Sequence, residues 1–229
     1  MNDLVKSFSQ NFIEKNRYQY ILDGLVNTLI MTACAVIIGI IIGFIIAIIR
    51  SNHDKTGRLK VLNFICNLYL TVIRGTPMVL QLLITYFVIF ASVNVSKMLV
   101  AIIAFGINSG AYVAEIIRGG IMSIDNGQFE AGRSLGFSYH QTMVYFILPQ
   151  ALKNVLPALG NEFVVLLKET SVAGYIAMQD LTKGADIIRS QTYSAFMPLV
   201  MAALIYLALV MLFDGLIKKL ERRLRNSDH

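Results

Sequence analysis

The chain has 229 residues, of which 56% are hydrophobic and only 15% are charged, and its mean hydropathy is +0.64. Soluble globular domains have about 45–50% apolar and about 25% charged residues, so this composition argues against a water-soluble fold and favours a lipid environment. The net charge of +6 does not indicate nucleic-acid binding, because the basic residues collect at the ends of apolar runs. Membrane topology and anionic lipids favour that placement.

A bilayer core about 30 Å thick requires roughly 20 apolar residues in a helix. Four stretches of the chain meet this requirement, and a fifth meets it less clearly. We therefore predict an all-α, polytopic membrane protein with five transmembrane helices in a single transmembrane domain of residues 1–229. The predicted spans cover residues 22–49, 75–96, 98–120, 149–172 and 190–217.

The fourth predicted span, residues 149–172, is the least apolar. It contains Asn161, Glu162, Lys168 and Glu169, so an amphipathic helix on the membrane surface is the alternative. The basic residues favour a span, because five crossings with the N-terminus outside place twelve Lys and Arg residues in cytoplasmic segments and six outside. Four crossings would leave one of the two basic ends on the wrong side. The predicted orientation is therefore N-terminus out and C-terminus in.

The segment before the second span contains a predicted break. Residues 61–73 are uncharged but too short to cross, so we expect a helix that enters the second span at a slant or lies at the cytoplasmic surface. Gly75 and Pro77 would relax the helix there, and neighbouring groups must satisfy the freed backbone. Arg74 lies at the same point, and we assign structural roles to Arg74, Gly75 and Pro77.

The polar connection between the third and fourth spans, residues 123–148, is the most informative segment for function. Asn126-Gly127 indicates a turn, Gly136 separates two helical patterns, and Ser138 is a good N-cap for the second. Pro149 then opens the fourth span, where proline is well tolerated and has a structural role. We expect two short helices bent at Gly136 and held at the cytoplasmic face. A loop of this length is usually functional, although composition alone fits a solvated loop equally well.

Polar side chains inside the third span indicate a pathway or a polar contact. Asn108, Tyr112 and Glu115 share one helical face at i, i+4 and i+7, and Arg118 is close enough to pair with Glu115. Ionisable groups are costly within a span and usually face a cavity or a partner. These residues could line a substrate path. Alternatively, Glu115 and Arg118 form a structural pair that joins helices near the cytoplasmic end.

The fourth span also contains polar and charged groups that could line a path. Asn161, Glu162 and Lys168 could supply both hydrogen-bond acceptors and donors to a polar or zwitterionic ligand. The alternative is a polar seam between helices across a dimer, in which Lys168 and Glu169 neutralise partners.

The sequence shows no Cys or His spacing typical of a metal site, so we predict no metal. It also lacks the phosphate-binding pattern G-x-x-x-x-G-K-[ST]. If the chain moves a substrate across the membrane, the energy would therefore come from an ATPase partner or from an ion gradient.

The polar loop carries a motif that resembles the EAA loop of binding-protein-dependent ABC importer permeases. The family pattern is Glu-Ala-Ala, three residues, Gly, nine residues, then Ile, any residue, Leu and Pro. In this sequence Glu130 begins the motif, Gly132 replaces the second alanine, Gly136 is retained and Phe146 replaces the isoleucine before Leu148-Pro149. In that family the loop forms a coupling helix that sits in a cleft of the cytoplasmic ATPase subunit.

The resemblance implies that this loop couples the chain to an ATPase. The residues that would do so are Glu130, Ala131, Gly132, Arg133 and Gly136. Glu130 and Arg133 would make polar contacts to the ATPase, and Gly136 would permit the bend.

Three further motifs resemble permeases for polar amino acids of the histidine, glutamine and arginine type. They are Arg-Gly-Thr-Pro at residues 74–77, residues 109–120, and residues 167–171, which include the substrate-path candidate Thr170. The matches extend over roughly residues 20–220. They imply the five-helix core of type I ABC importers, in a bacterial inner or plasma membrane.

The resemblance also implies the partners. They are a second permease subunit, identical or related, two ATPase subunits that bind ATP and Mg, and an extracytoplasmic amino-acid-binding protein. The chain itself would bind no cofactor and would not be an enzyme. The alternatives are an ion-coupled secondary transporter, which usually has internal repeats that we do not find here, and a channel subunit, which would not explain the loop.

Overall fold

The computed structural model describes residues 2–226, and all of their regular secondary structure is helical, as predicted. Met1 and residues 227–229, which belong to the predicted domain, lie outside the described residues. The helices are α1 (Asn2–Phe8), α2 (Tyr18–Thr56), α3 (Lys60–Gly75), α4 (Met78–Ile84, extended by a π turn to Ile89), α5 (Lys97–Met122), α6 (Asn126–Ser134), α7 (Tyr139–Thr142), α8 (Leu148–Glu169), α9 (Leu181–Thr192) and α10 (Phe196–Asn226).

Three of these helices, α2, α5 and α10, are long and apolar enough to cross a membrane by length and composition. The pair α3 and α4 is a fourth candidate, bent by 110° at the break between its halves. Helix α8 has 22 residues, which corresponds to a length of about 33 Å. It contains Lys153, Glu162, Lys168 and Glu169, and these charges distinguish it from the apolar helices.

The helix bounds differ from the predicted spans in two places. The second predicted span was 75–96, but its helix begins at Met78 and ends at Ile89, and residues 90–96 are not helical. The last predicted span was 190–217, but α10 begins at Phe196, because α9 continues to Thr192 and is followed by Tyr193 in a left-handed conformation with φ of 56°. Uncharged residues continue through both turns, so the absence of charge did not mark the ends of the helices.

The prediction for the connection between α5 and α8 was half right. Helix α6 is a separate short helix, but α7 passes through the π turn Met143–Ile147 into α8 without a break. Pro149 is the second residue of α8, in agreement with its predicted position at the start of the fourth span, although the π turn continues the helix before it. The wider π turn just before Pro149 accommodates a residue that cannot donate a backbone hydrogen bond.

Helices α2 and α5 form the centre of the fold, and glycines let their backbones approach closely. Gly39 and Gly43 on α2 face the region of Gly106 and Gly110 on α5. A Cβ atom at Gly43 would lie 2.5 Å from Cγ1 of Val113, and one at Gly106 would meet an α2 side chain at 2.7 Å. Small residues four apart favour close helix association in lipid, where packing rather than the hydrophobic effect holds helices together.

We expect Gly43→Ala to lower the melting temperature of the purified protein, because the added methyl group overlaps Val113. Overpacking of this kind costs about 1–3 kcal/mol. Gly119→Ala on α5 is the matched control, since a Cβ there would have nothing within 4 Å and alanine is the better helix former. Equal losses in the two variants would contradict the packing explanation.

At the N-terminal end of α2, the turn before α9 and the start of α9 pack closely against the helix. A Cβ atom at Gly24 would lie 2.5 Å from the carbonyl oxygen of Asp180, and one at Gly184 would lie 2.2 Å from that of Tyr20. The hydroxyl oxygen of Thr28 accepts a backbone N–H at the start of α9 at 3.1 Å. The two elements therefore form one tightly packed layer.

Asp180 caps α9 from a fully buried position and makes the stability of this layer pH-dependent. Its carboxylate accepts the backbone N–H groups of Thr182 at 3.0 Å and Lys183 at 3.1 Å. Burial raises the pKa of Asp180 from 3.8 to about 6, so the folded protein holds the proton more tightly than the unfolded chain does. The resulting stabilisation is fully present below the unfolded-state pKa and is lost as the pH rises through the folded-state pKa.

We expect Asp180→Asn to remove this pH dependence while keeping the helix cap, because asparagine is an equally good N-cap. Between about pH 4 and pH 7 the wild-type melting temperature should fall relative to that of the variant. The corresponding free-energy change is at most about 3 kcal/mol, from the value of one pKa unit. Thermal melts of both proteins in one detergent measure this difference, and parallel curves across the range would refute it.

Candidate translocation path and coupling loop

Three arginines surround one carboxylate in the C-terminal half of α5. Glu115 accepts a hydrogen bond from Nη1 of Arg50, while Nη2 of Arg118 lies at 3.4 Å and Nη1 of Arg74 at 3.9 Å. The predicted contact between Glu115 and Arg118 is therefore present, as one of three ion pairs that Glu115 makes. Because a single carboxylate cannot neutralise three guanidinium groups, the junction of α2, α3 and α5 carries excess positive charge.

A cavity of about 470 Å³ opens beside this cluster. It is lined by Arg50, Asn67, Leu70, Thr71, Arg74, Gly75 and Glu115. Asn67, Thr71 and Arg74 follow one another at i, i+4 and i+7, so they form a polar stripe along α3. The sequence analysis missed Asn67 and Thr71, although they have the same helical spacing that identified the polar face of α5.

Gln81 connects the two halves of the broken helix. Helix α3 ends before Thr76, which is extended because it precedes Pro77. The side-chain nitrogen of Gln81 donates to the carbonyl oxygens of Ile73 at 2.7 Å and Thr76 at 3.1 Å. Its side-chain oxygen accepts from Asn108 at 3.0 Å. These bonds satisfy backbone groups that the break frees, as a lipid environment requires.

The break thus lies where the sequence predicted it, at Arg74, Gly75 and Pro77. The sequence analysis did not identify Gln81 as the group that satisfies the freed backbone. Its signal was a single side-chain amide within the otherwise apolar residues 78–84.

The polar face of α5 is continuous with the break and the arginine cluster. Asn108 contacts Gln81, and the guanidinium of Arg74 lies 5.8 Å from the ring centre of Tyr112. Glu115 follows three residues later. Asn108, Tyr112 and Glu115 therefore share one face of α5, as their helical spacing predicted. The structure adds Arg74, which lies beside this face.

The candidate residues on α8 are divided between buried and exposed positions. Glu162 is buried and accepts a hydrogen bond from the hydroxyl of Ser109 on α5 at 2.9 Å. Thr170 is also buried, and its hydroxyl donates a hydrogen bond to the backbone carbonyl oxygen of Leu167 at 2.7 Å. Asn161 and Lys168 are exposed on α8. The structure therefore brings Glu162 to α5, whereas Asn161 and Lys168 remain on an open face.

The coupling loop, residues 123–148, presents one side of α6 to its surroundings and packs the other against α7. Glu130, Ala131 and Arg133 are exposed, whereas Gly132 is buried against Thr142. A Cβ atom at Gly132 would lie 2.6 Å from Cγ2 of Thr142. The glycine in this motif is therefore a packing requirement of this chain.

The predicted bend and N-cap within the loop are both confirmed. Gly136 has a φ of 86°, a left-handed conformation that favours glycine. Ser138 and Gln141 form a capping box, in which Ser138 Oγ accepts from the Gln141 backbone at 3.3 Å and Gln141 Oε1 accepts from the Ser138 backbone at 2.8 Å. The loop therefore has a defined shape.

Aromatic contacts join the loop to α2. Phe129 on α6 stacks on Tyr139 on α7, with ring centres 5.7 Å apart. Tyr139 in turn is hydrogen-bonded to Ser51 near the end of α2, while burial raises its pKa above 10. Side-chain contacts therefore connect α6 to α7 and to the end of α2, and the continuous helix connects α7 to α8.

This architecture defines a helical membrane component with a polar internal path and an ordered loop at one end. Residues 39–226 match the family model described as binding-protein-dependent transport system inner membrane component. The chain is 39% identical over 207 residues to a putative glutamine transport system permease protein of Rickettsia typhi, covering 90% of this chain and 93% of the relative. It is 38% identical over 211 residues to the arginine transport system permease protein of Bacillus subtilis, covering 91% and 94%.

A solved structure extends the comparison to the fold. The crystal structure of an amino acid ABC transporter with histidines contains a chain that is 42% identical and matches with a TM-score of 0.84. The match covers 93% of this chain and 98% of that chain.

The chain belongs to the family of binding-protein-dependent transport system inner membrane components. It is a permease subunit and not an enzyme, since the ATPase of this family is a separate subunit. The resemblance deduced from the sequence motifs is confirmed. The alternatives of an ion-coupled transporter and a channel subunit are not supported.

Proposed function

We propose that this permease imports polar amino acids, which an extracytoplasmic binding protein delivers and a partner ATPase drives across the membrane. The observation that carries this proposal is the polar face that runs from Gln81 through Asn108 and Tyr112 to Arg74 and Glu115. Its relatives are named for glutamine and arginine, and the similar crystal structure contains histidines. All three molecules combine a zwitterionic backbone with a polar side chain, which needs shelter from lipid.

The remaining candidates on α8 complete the proposed path. Glu162, held by Ser109, offers an acceptor for the ammonium group. Asn161 and Lys168 lie on the exposed side of α8, where a second permease subunit, identical or related, would cover them. Thr170 ends this helix and shapes its connection to the next turn.

We further propose five crossings, formed by α2, the bent pair α3 and α4, α5, α8 and α10, with the N-terminus outside. Helix α8 tolerates a charged residue in this position because Glu162 is buried and hydrogen-bonded within the protein. This topology places twelve basic residues on the cytoplasmic side and six outside, as membrane insertion favours. The membrane would be the inner or plasma membrane of a bacterium.

Single-cysteine labelling tests this topology. In a background with Cys34→Ser and Cys66→Ser, we expect Glu130→Cys to react with an impermeant maleimide only from the cytoplasmic side. We expect Lys183→Cys to react only from the outside. Labelling of both positions from one side would contradict five crossings.

The coupling loop would transmit the energy. We propose that α6 docks in a cleft of the ATPase subunit through Glu130, Ala131 and Arg133, whose side chains are exposed. ATP and Mg would bind that partner, and this chain would hold neither. Closure of two ATPase subunits would move α6, and the contact of Tyr139 with Ser51 and the continuous α7–α8 helix would move α2 and α8. The path would then open alternately to the two sides.

Transport by proteoliposomes tests the proposed function. The permease, its ATPase and its binding protein are reconstituted with ATP inside, and uptake of labelled glutamine, arginine and histidine is measured. We expect uptake of at least one of them to require both ATP and the binding protein. Uptake that needs an ion gradient instead of ATP would overturn the proposal.

A further inference from the structure

The charge of the arginine cluster exceeds what its one carboxylate can neutralise. Glu115 is 25% exposed and is contacted by Arg50 and Arg118, while Arg74 is the most distant of the three cations at 3.9 Å. At that distance Arg74 makes an ion pair but no hydrogen bond with Glu115. Among the residues that the structure describes, its other recorded contact is the ring of Tyr112. The donors of Arg74 therefore remain available.

The available guanidinium lies at an open cavity of suitable size. Arg74 is 46% exposed and lines the cavity of about 470 Å³ between α2, α3 and α5. Cavities that bind small molecules commonly measure about 300–1,000 Å³. Asn67 supplies an amide on the same wall, and Thr71 supplies a hydroxyl oxygen whose proton is donated to the carbonyl oxygen of Asn67 at 2.8 Å.

We propose that this cavity binds the α-carboxylate of the transported amino acid, with Arg74 as its direct partner and Asn67 as an additional polar contact. The inference rests on the proposed function for the identity of the cargo. A guanidinium offers two parallel N–H donors that match the two oxygens of a carboxylate. Arg74 was assigned a structural role from the sequence, and this inference gives it a binding role.

The position of the cavity favours the cargo over other oxyanions. Arg74 and Glu115 line the cavity, and Arg74 also lies 5.8 Å from the ring centre of Tyr112 on the polar face of α5, so the cavity adjoins the path that the cargo would follow. A lipid phosphate and inorganic phosphate share the oxyanion chemistry, and the experiment below separates these sources from the amino acid.

The test is equilibrium binding to the full permease–ATPase complex in lipid nanodiscs, without the binding protein. Labelled L-arginine is competed with L-argininamide, which keeps the side chain and the ammonium group but lacks the carboxylate. We expect wild type to prefer the acid by about tenfold or more, the value of one charge-assisted hydrogen bond. We expect Arg74→Gln to abolish this preference.

Arg118→Gln is the matched control, because Arg118 also contacts Glu115 but does not line this cavity. It should retain most of the preference for the acid. Asn67→Leu removes one neutral amide donor from the cavity wall without altering the charges, and a loss of affinity of about twofold to tenfold is expected. This second variant keeps the proposal testable if Arg74→Gln fails to assemble.

Several outcomes would overturn the inference. The preference for the acid over the amide could be lost equally in the Arg74 and Arg118 variants, or it could be unchanged in Arg74→Gln. Wild type could show no measurable binding. Inorganic phosphate or anionic lipid could displace arginine as readily as amino acids do. Uptake driven by ATP and the binding protein reports on the proposed function separately. Wild type that transports but binds without dependence on Arg74 would refute only this inference.

Discussion

Glu115→Gln is expected to lower the free energy of unfolding by about 1.5–3 kcal/mol, the range for a hydrogen bond to a charged group, since the Glu115 side chain is 25% exposed beside a cavity. The substitution removes the single negative charge among Arg50, Arg74 and Arg118, whose guanidinium groups would then repel one another. These residues come from α2, α3 and α5, so the loss should loosen the junction of three helices. Thermal unfolding in detergent measures the loss of stability. The rate of tryptic cleavage at the α3–α4 break measures how far the junction of the three helices has loosened.

Asp186→Asn is the control for that substitution. Asp186 also contacts two cations, Lys183 at 2.9 Å and Arg189 at 2.5 Å, but this cluster lies at the surface of α9. Surface ion pairs contribute only about 0–1 kcal/mol, so the control should be nearly neutral. If both substitutions destabilise the protein equally, the central position of Glu115 has no special role.

Gly132→Ala is expected to reduce binding-protein-stimulated ATPase activity by about tenfold, within the usual range of coupling energies between sites. A Cβ atom at this position would lie 2.6 Å from Cγ2 and 2.9 Å from Oγ1 of Thr142. Helix α6 would have to move away from α7, and the exposed side chains of Glu130 and Arg133 would move with it. ATPase activity of the reconstituted complex, with and without loaded binding protein, measures the loss.

A second substitution distinguishes this packing effect from a loss of chain flexibility. Thr142→Ala removes the two nearest of the three atoms that the new methyl group would meet and leaves only Cβ at 3.3 Å, so Gly132→Ala combined with Thr142→Ala should recover most of the stimulation. Persistent loss in the double variant would show that Gly132 is needed for a reason other than its contact with Thr142. The recovery would also explain why a glycine replaces the second alanine of the family pattern in this chain.

The features that the sequence predicted well are those set by local spacing. The polar face of Asn108, Tyr112 and Glu115 follows from helical periodicity, and the break at residues 74–77 follows from glycine and proline. The bend at Gly136 likewise needed only local chemistry. Each of these could be predicted because neighbouring residues alone decide it.

The features that the sequence did not show depend on partners far along the chain. Gln81 is informative only once Asn108 and the carbonyl of Ile73 lie beside it. Gly132 becomes a packing requirement only through Thr142, ten residues later on another helix. The bounds of α4 and α10 differ from the second and last predicted spans because those spans were drawn from the absence of charge, which uncharged turns share with uncharged helices.

The measurement that tests the central claim most directly is ATPase activity of the permease reconstituted with its ATPase, comparing wild type with Glu130→Ala and Gly136→Leu. Gln128→Ala, which changes another exposed residue of α6, is the control. We expect loaded binding protein to stimulate wild type and the control, and to have little effect on the two loop variants. Variants that assemble and respond like wild type would contradict the coupling role of the loop, and a wild-type permease that recruits no ATPase would contradict the proposed importer.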